Sequence, residues 1–259
     1  MKSMPKLPIS VVIITKNEEE NIADCLKSVS FAEEVIVIDS ESTDNTVEIA
    51  KSLGAKVFIE KWKGYGRQKQ SGVEKTKNKW ILSIDADERI PPETVEVLFS
   101  LFNPYPEEGI TAFSFCRKNI LHGKWMKCCG WWPDRVVRLF DKTAGKFEGM
   151  VHEKWVISRG KVRHLDAVIM HYHSGYFEIL QKMNNYSSIS AKEMFKKGLK
   201  APLWKPFFHG MWMFFRSYFL KKGFLYGFDG FIISFCNGLG RFFKYAKLRE
   251  LWKEVKKKT

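Results

Sequence analysis

Trp80-Ile81-Leu82-Ser83-Ile84-Asp85-Ala86-Asp87-Glu88 is the stretch whose reading decides this chain. A short apolar run that ends abruptly in acid has the pattern of a buried strand in a parallel sheet. Open α/β sheets hold their ligands where the carboxyl ends of strands meet the connecting loops. In an extended segment Asp85 and Asp87 project to the same side. Two such carboxylates repel each other, and a hard cation held through oxygen relieves that repulsion. A cation so placed grips a diphosphate. The plain alternative is a solvated acidic turn, and the remainder of the chain decides between the two.

Toward the amino end, Ile9-Ser10-Val11-Val12-Ile13-Ile14-Thr15 is a β-branched run that reads as a strand. Lys16-Asn17-Glu18-Glu19 follows, then a helical pattern carried by Ile22, Leu26 and Val29. A second strand, Val35 to Ile38, ends at Asp39. The hydroxyl- and acid-rich stretch from Ser40 to Thr46 suits turning and capping. Val47, Ile49, Ala50 and Leu53 form the next helical face, with Gly54 placed where a helix C′ glycine belongs. Lys56 to Ile59 is a third strand. Strand, helix, strand, helix, strand predicts a parallel sheet with right-handed crossovers. Each strand ends in polar residues on one edge, and that edge is the expected site.

A chain of 259 residues has room for one large α/β domain with an appendage. Its five cysteines are odd in number and lack Cys-x-x-Cys spacing, which points to reduced thiols in a cytoplasmic setting and away from structural zinc. Met1 to Pro8 carries two lysines and no apolar core, so no signal peptide is expected. Charge is unevenly spread. Residues 196–259 hold 15 Lys and Arg against 3 Asp and Glu, while residues 1–195 hold 28 against 26. A near-neutral domain therefore carries a strongly basic tail, and such a tail seeks phosphates on lipid headgroups or nucleic acid.

Three ordered motifs make a family resemblance specific: Ser10 to Glu18, Val37-Ile38-Asp39-Ser40 with Ser42 to Thr46, and Asp85-Ala86-Asp87-Glu88. On these the chain resembles an inverting family 2 glycosyltransferase with the GT-A fold, a Rossmann-like nucleotide-diphospho-sugar transferase built on a mixed sheet. More narrowly it resembles the lipopolysaccharide core β-1,4-glucosyltransferase-like branch. That match rests on Gly64 to Gln70, Gly130-Trp131-Trp132-Pro133-Asp134, Arg138-Leu139-Phe140 and Val151-His152-Glu153. Gln70 departs from the family, which usually has Asn there, and that contact is in question. The implied organisation is a catalytic domain over 1–175 and a helical, basic, aromatic appendage over 176–259.

The resemblance implies that Thr15, Glu18 and Asp39, with Asn17 beside them, contact the uracil and ribose of a UDP-sugar. A carboxylate can accept hydrogen bonds from a base imide or ribose hydroxyls. For Asp39 and Asp44 helix or turn capping is the competing reading. The loop Lys61 to Lys69 combines glycines with cations, as a diphosphate requires. Its alternative is a solvated basic loop, and the resemblance favours Arg67 and Lys69 as the phosphate contacts. Asp85 and Asp87, joined by His171 in the manner of related folds, are the implied ligands of Mg²⁺ or Mn²⁺.

Inverting transfer needs a base to take a proton from the acceptor hydroxyl. The resemblance assigns that role to Glu153, with Asp134 as runner-up, and places His152 and Arg138, with Trp131 and Trp132, at the acceptor. The indoles of Trp131 and Trp132 suit the apolar face of an acceptor sugar, and equally suit core filling. His171 and His173 alternate on one strand face, as ligands or as structural histidines.

Beyond Gly175 the pattern is helical and dense in aromatics, with Lys221, Lys222, Arg241 and a Lys256-Lys257-Lys258 end. No stretch reaches the roughly 18–20 uninterrupted apolar residues of a spanning helix. Arg241, Lys244 and Lys247 share one helix face, while Tyr245, Leu248, Trp252 and Val255 share the other. Two readings coexist: a helical subdomain packed on its own core, and helices lying on an anionic membrane surface. The expected partners are a UDP-sugar, a glycolipid acceptor such as lipopolysaccharide inner core or a polyprenyl phosphate, and the membrane surface. A nucleic-acid-binding protein is the reading from another class. It is disfavoured because the cations lie in aromatic, glycine-broken helices and form no recognisable reading module.

Overall fold

A computed structural model describes residues 5–103, 105–149 and 154–258, with the backbone alone for 256–258. The described chain forms two compact units, Met1–Lys118 with Asp134–Tyr172, and Asn119–Pro133 with His173–Thr259. The segment 119–133 thus counts with the helical unit, besides the single boundary at 175 that the sequence suggests.

In the first unit β1 (Leu7–Thr15), α1 (Ile22–Ser28), β2 (Ala32–Asp39), α2 (Thr46–Ser52) and β3 (Lys56–Ile59) alternate as the sequence predicts. After them come α3 (Tyr65–Glu74), β4 (Trp80–Asp85), β5 (Glu88–Arg89), α4 (Pro92–Leu101) and β6 (Ile110–Leu121). Then follow β7 (Lys124–Trp125, in the second unit), β8 (Arg135–Asp141), β9 (Gly145–Glu148), β10 (Lys154–Ile157) and β11 (Lys161–His173). The main sheet runs β3-β2-β1-β4-β8-β6-β11-β5. Its first four strands are parallel, and it turns antiparallel where β4 meets β8. The result is the expected mixed sheet.

Strand register defines the working edge. Thr15 lies opposite Asp39, and Ile14 opposite Asp85, so β1, β2 and β4 end together. The alternation along β1 explains why it can sit at the centre. Ile9, Val11 and Ile13 are fully buried in the larger core with Leu82 and Ile84, while Val12 faces a second core with Ile81 and Phe140. There the Phe140 and Trp155 rings stack at 3.7 Å. Gly72 of α3 lies so close to Val12 that an added Cβ would collide with it, which lets the helix settle directly on the strand.

One geometric expectation changes. β4 stops at Asp85, and Ala86 and Asp87 form a turn before β5. The two carboxylates therefore do not share one face of a continuous strand. β5 instead pairs with β11, bringing Glu88 opposite His171 and Arg89 opposite Met170.

The second unit holds α5 (Tyr176–Lys196), α6 (Lys205–Phe215), a π turn (Arg216–Leu220), a 3-10 turn (Gly223–Tyr226) and α7 (Gly227–Lys258). Gly210 on α6 and Gly238 on α7 face each other, and an added Cβ on either would press on the other's carbonyl. Tyr245 and Leu248 are buried with Ala191 and Ala201, as the amphipathic pattern predicts. Lys247 is not a solvated cation: its Nζ donates to Asn184 O at 3.0 Å and to Ser187 Oγ at 2.8 Å. Among the described residues no helix is long and apolar enough to cross a membrane.

Candidate active site

The loops after β1 and β2 are stitched together before any ligand is considered. Asn17 adopts a left-handed conformation, φ 53°, which Asn tolerates better than most residues. Its Oδ1 accepts from Thr43 N, and its own N donates to Ser42 Oγ, both at 2.8 Å. Asp39 is fully buried and accepts from Ser42 N at 2.8 Å and Ser42 Oγ at 2.5 Å. Asp44 accepts from Thr46 and from Glu19 N. Burial raises its carboxyl, but the Thr46 and Glu19 donors outweigh it and hold the group below its usual range. Asp44 is therefore seen in its capping role. Glu18 N donates to Thr46 Oγ1, and its Oε2 accepts from Asn21. At this rim Thr15 Oγ1 and Ser40 Oγ are buried without a hydrogen-bond partner among the described residues. A buried hydroxyl left so costs about 1–3 kcal/mol, so the edge is built with polar capacity to spare.

Behind the rim runs a lattice of alternating charge. Lys69 on α3 is 1% exposed, with Nζ 2.9 Å from Asp85 Oδ1. Arg138 on β8 places Nη2 2.6 Å from Asp85 Oδ2 and 2.6 Å from Glu88 Oε1. Glu88 is fully buried, and its Oε2 accepts from Asp85 N at 3.0 Å. Arg117 on β6 reaches Glu88 Oε1 at 3.4 Å and Asp134 Oδ2 at 2.7 Å. Three cations meet three carboxylates, which is how charges are tolerated away from water. Burial raises the Asp85 carboxyl, but Arg138 and Lys69 overcome it and hold the group well below the usual carboxylate range. Burial likewise opposes charge on Arg138, and Asp85 and Glu88 more than restore it.

The turn beyond this lattice carries Asp87. Its Oδ2 lies 3.2 Å from His171 Nε2, and its carbonyl accepts from Tyr172 N at 2.9 Å. Arg89 donates to Ala86 O at 2.8 Å and stacks on Tyr172, so the turn is clamped from both sides. The structure thus brings Asp87 and His171 together and sets Asp85 against cations. Among the described residues no three His, Cys, Asp or Glu side chains gather into a complete metal shell. One carboxylate oxygen beside one imidazole nitrogen still suits an ion of the Mg²⁺ or Mn²⁺ kind, which leaves several positions to water and phosphate oxygens.

The other sequence-derived residues fall as follows. Arg67 is exposed on the first turn of α3, whereas Lys69 faces inward. Asp134 is half-buried and held by Arg117. Glu153 and His152 lie outside the described residues. Arg138 turns its guanidinium to the two acids and stands as their partner. Trp131 and Trp132 belong to the second unit, where Trp131 tilts over His173 at 4.6 Å and Trp132 meets Trp125 edge-on at 5.0 Å. His173 also contacts Glu178 and Asn119, which gives it a structural setting. Sequence reasoning gave Glu88 and Arg117 no role. The available signal was a third acid directly after Asp87 and an arginine following the apolar run that ends at Cys116.

Comparison with known proteins bears on this arrangement. The model of the Glycosyl transferase family 2 matches residues 10–166. An uncharacterized glycosyltransferase of Rickettsia typhi is 36% identical over 255 residues, covering 94% of this chain and 87% of that protein. The lipopolysaccharide core biosynthesis glycosyltransferase LpsC of Rhizobium meliloti is 29% identical over 264 residues, covering 95% and 93%. Glucosyl-3-phosphoglycerate synthase of Mycobacterium tuberculosis, solved with Mn²⁺, UDP and glucosyl-3-phosphoglycerate, aligns at 29% identity over 44% of each chain. Its TM-score is 0.35, and that likeness carries no argument about the site.

Proposed function

The chain belongs to glycosyl transferase family 2, and from that premise we propose that it moves a sugar, glucose being the first candidate, from UDP to a saccharide on a lipid carrier with inversion. The observation that carries this reading is the pairing of Asp87 with His171 at the edge where β1, β2 and β4 end. Likeness to the core biosynthesis enzyme supports a lipopolysaccharide inner-core acceptor.

In this reading Thr15, Asn17, Glu18 and Asp39 receive the nucleoside, and exposed Arg67 meets the diphosphate. Lys69 and Arg138 keep Asp85 ionised and fixed, so the turn bearing Asp87 has a rigid base. Asp87 and His171 would hold Mg²⁺ or Mn²⁺, which when bound supplies positive charge to the leaving diphosphate. Glu153 takes the proton of the acceptor hydroxyl, with His152 beside it in sequence. UDP release measured across several UDP-sugars, with Mg²⁺ or Mn²⁺ and a lipopolysaccharide-core acceptor, tests the assignment. Glu153→Gln is expected to lower turnover by about 10²–10⁴-fold while donor affinity stays near wild type. Full activity in that variant would transfer the base role to Asp134.

The second unit supports a peripheral place on the inner face of the cytoplasmic membrane. Phe207, Phe208, Met211, Trp212, Leu225 and Phe228 are each more than half exposed, with Lys205, Arg216, Lys221 and Lys222 nearby in sequence. Exposed aromatic and apolar side chains interleaved with cations suit an anionic bilayer interface. The expected result is pelleting with anionic but far less with neutral vesicles, and no duplex DNA retention at moderate salt. Retention on DNA without vesicle binding would reverse this assignment.

A further inference from the structure

We infer that the second unit carries its own binding site for a phosphorylated sugar, in a cavity of about 560 Å³ between the 127–133 segment and the turns before α7. The inference rests on the lipid-borne saccharide reading above and specifies a chemical class for it. Lys127, Lys221 and Lys222 all line this one cavity, and none makes an ion pair among the described residues. All three are exposed, and together they give the mouth of the cavity a positive bias that favours an anion.

The cavity is built, and is more than a meeting of surface lysines. Cys129 N donates to Lys221 O at 3.0 Å, tying one wall to the other. Cys129, Gly130 and Lys222 have φ of 58°, 87° and 57°, left-handed conformations that non-glycine residues adopt sparingly. Lys221 Nζ lies against the Gly130 backbone, in the space a Cβ would occupy. Lys127 Nζ sits 3.9 Å from the centre of the Trp125 ring, and Trp125 in turn meets Trp132 edge-on. One wall therefore offers cations and a half-buried indole together. An indole suits the apolar face of a pyranose, and the lysines suit a phosphate on it. Leu220 and Leu225, both exposed by more than half, line the same cavity and suit the start of a lipid.

A phosphate can arrive on the saccharide or on a bulk phospholipid headgroup, and two probes separate these sources. The full chain is titrated calorimetrically with glucose 6-phosphate, with glucose as control, and separately pelleted with phosphatidylglycerol vesicles. Lys221→Ala/Lys222→Ala and Trp132→Ala are each expected to weaken glucose 6-phosphate binding at least tenfold. Glucose alone is expected to bind far more weakly than its phosphate. If the saccharide is the source, glucose 6-phosphate leaves vesicle pelleting unchanged; if the headgroup is, it competes and Trp132→Ala pellets as wild type. Unchanged binding of both probes in the double lysine variant overturns the inference. The titration needs neither donor nor turnover. A chain that binds the phosphosugar but releases no UDP sinks only the transferase reading, and one that turns over and pellets with the vesicles but binds no glucose 6-phosphate sinks only this site.

Discussion

Asp87→Asn is expected to lower UDP-sugar turnover on the order of 10³-fold and to weaken UDP affinity in Mn²⁺, with the fold intact. The substitution removes the charge and keeps the shape. Asp87 sits in a turn whose backbone is held by Tyr172 N and Arg89, neither of which depends on the side chain. An Asn can still meet His171 Nε2 through its own polar end, so stability should move by less than about 1 kcal/mol. What changes is the carboxylate offered to a divalent ion at the sheet edge. Steady-state UDP release with calorimetric UDP titration checks both halves. Wild-type turnover in Asp87→Asn would remove this residue from the machinery.

The second large effect is on the fold. Arg138→Met is expected to destabilise the protein by about 3–5 kcal/mol, the usual cost of leaving buried charges without their partner. Among the described residues Arg138 is the one cation that touches both Asp85 and Glu88, and Glu88 is fully buried. Arg117 stands 3.4 Å from Glu88, a longer contact than Arg138's 2.6 Å, and compensates poorly. In thermal unfolding this corresponds to a fall in Tm of about 10 °C. pH adds a signature with a definite sign. Asp85 has a folded pKa held below its unfolded one, so its stabilising contribution is present above the unfolded carboxylate pKa and fades as pH falls through the folded value. Arg138→Met should therefore lose most relative to wild type at neutral pH, and the two should converge as the pH drops below the carboxylate range. A Tm unchanged at neutral pH would mean that the lattice carries no stability.

Much of the sheet was legible because local chemistry and burial agree there. The β-branched runs of β1 and β2 and the four residues of β3 lie where their composition says, and the polar ends of β1, β2 and β4 gather on one edge. Nearest-neighbour reasoning failed at Asp87. The local pattern continues the strand past Asp85, whereas pairing of Glu88 with His171 demands a turn after Asp85. The basic loop does not tell which way each cation turns: Lys69 on α3 faces Asp85, while Arg67 two residues earlier is exposed. Glu88 and Arg117 were hidden because their partnership depends on where antiparallel β5, β6 and β8 lie in the sheet. No local pattern reports that. The tail was half legible: Tyr245 and Leu248 are buried as their spacing implies, yet Lys247 on the supposed solvent face is bonded to α5.

In the function proposed above, the acidic turn at the sheet edge holds a divalent ion and, with it, the diphosphate of a UDP-sugar. Crystals of the wild-type chain soaked with UDP and MnCl₂ give the most direct measurement, because anomalous scattering locates manganese independently of the refined protein. A manganese peak bonded to Asp87 and a diphosphate oxygen is expected, with uracil lodged between the loops of Asn17 and Asp39. Manganese and nucleotide bound away from that edge, with Asp87 still facing only His171, would contradict it.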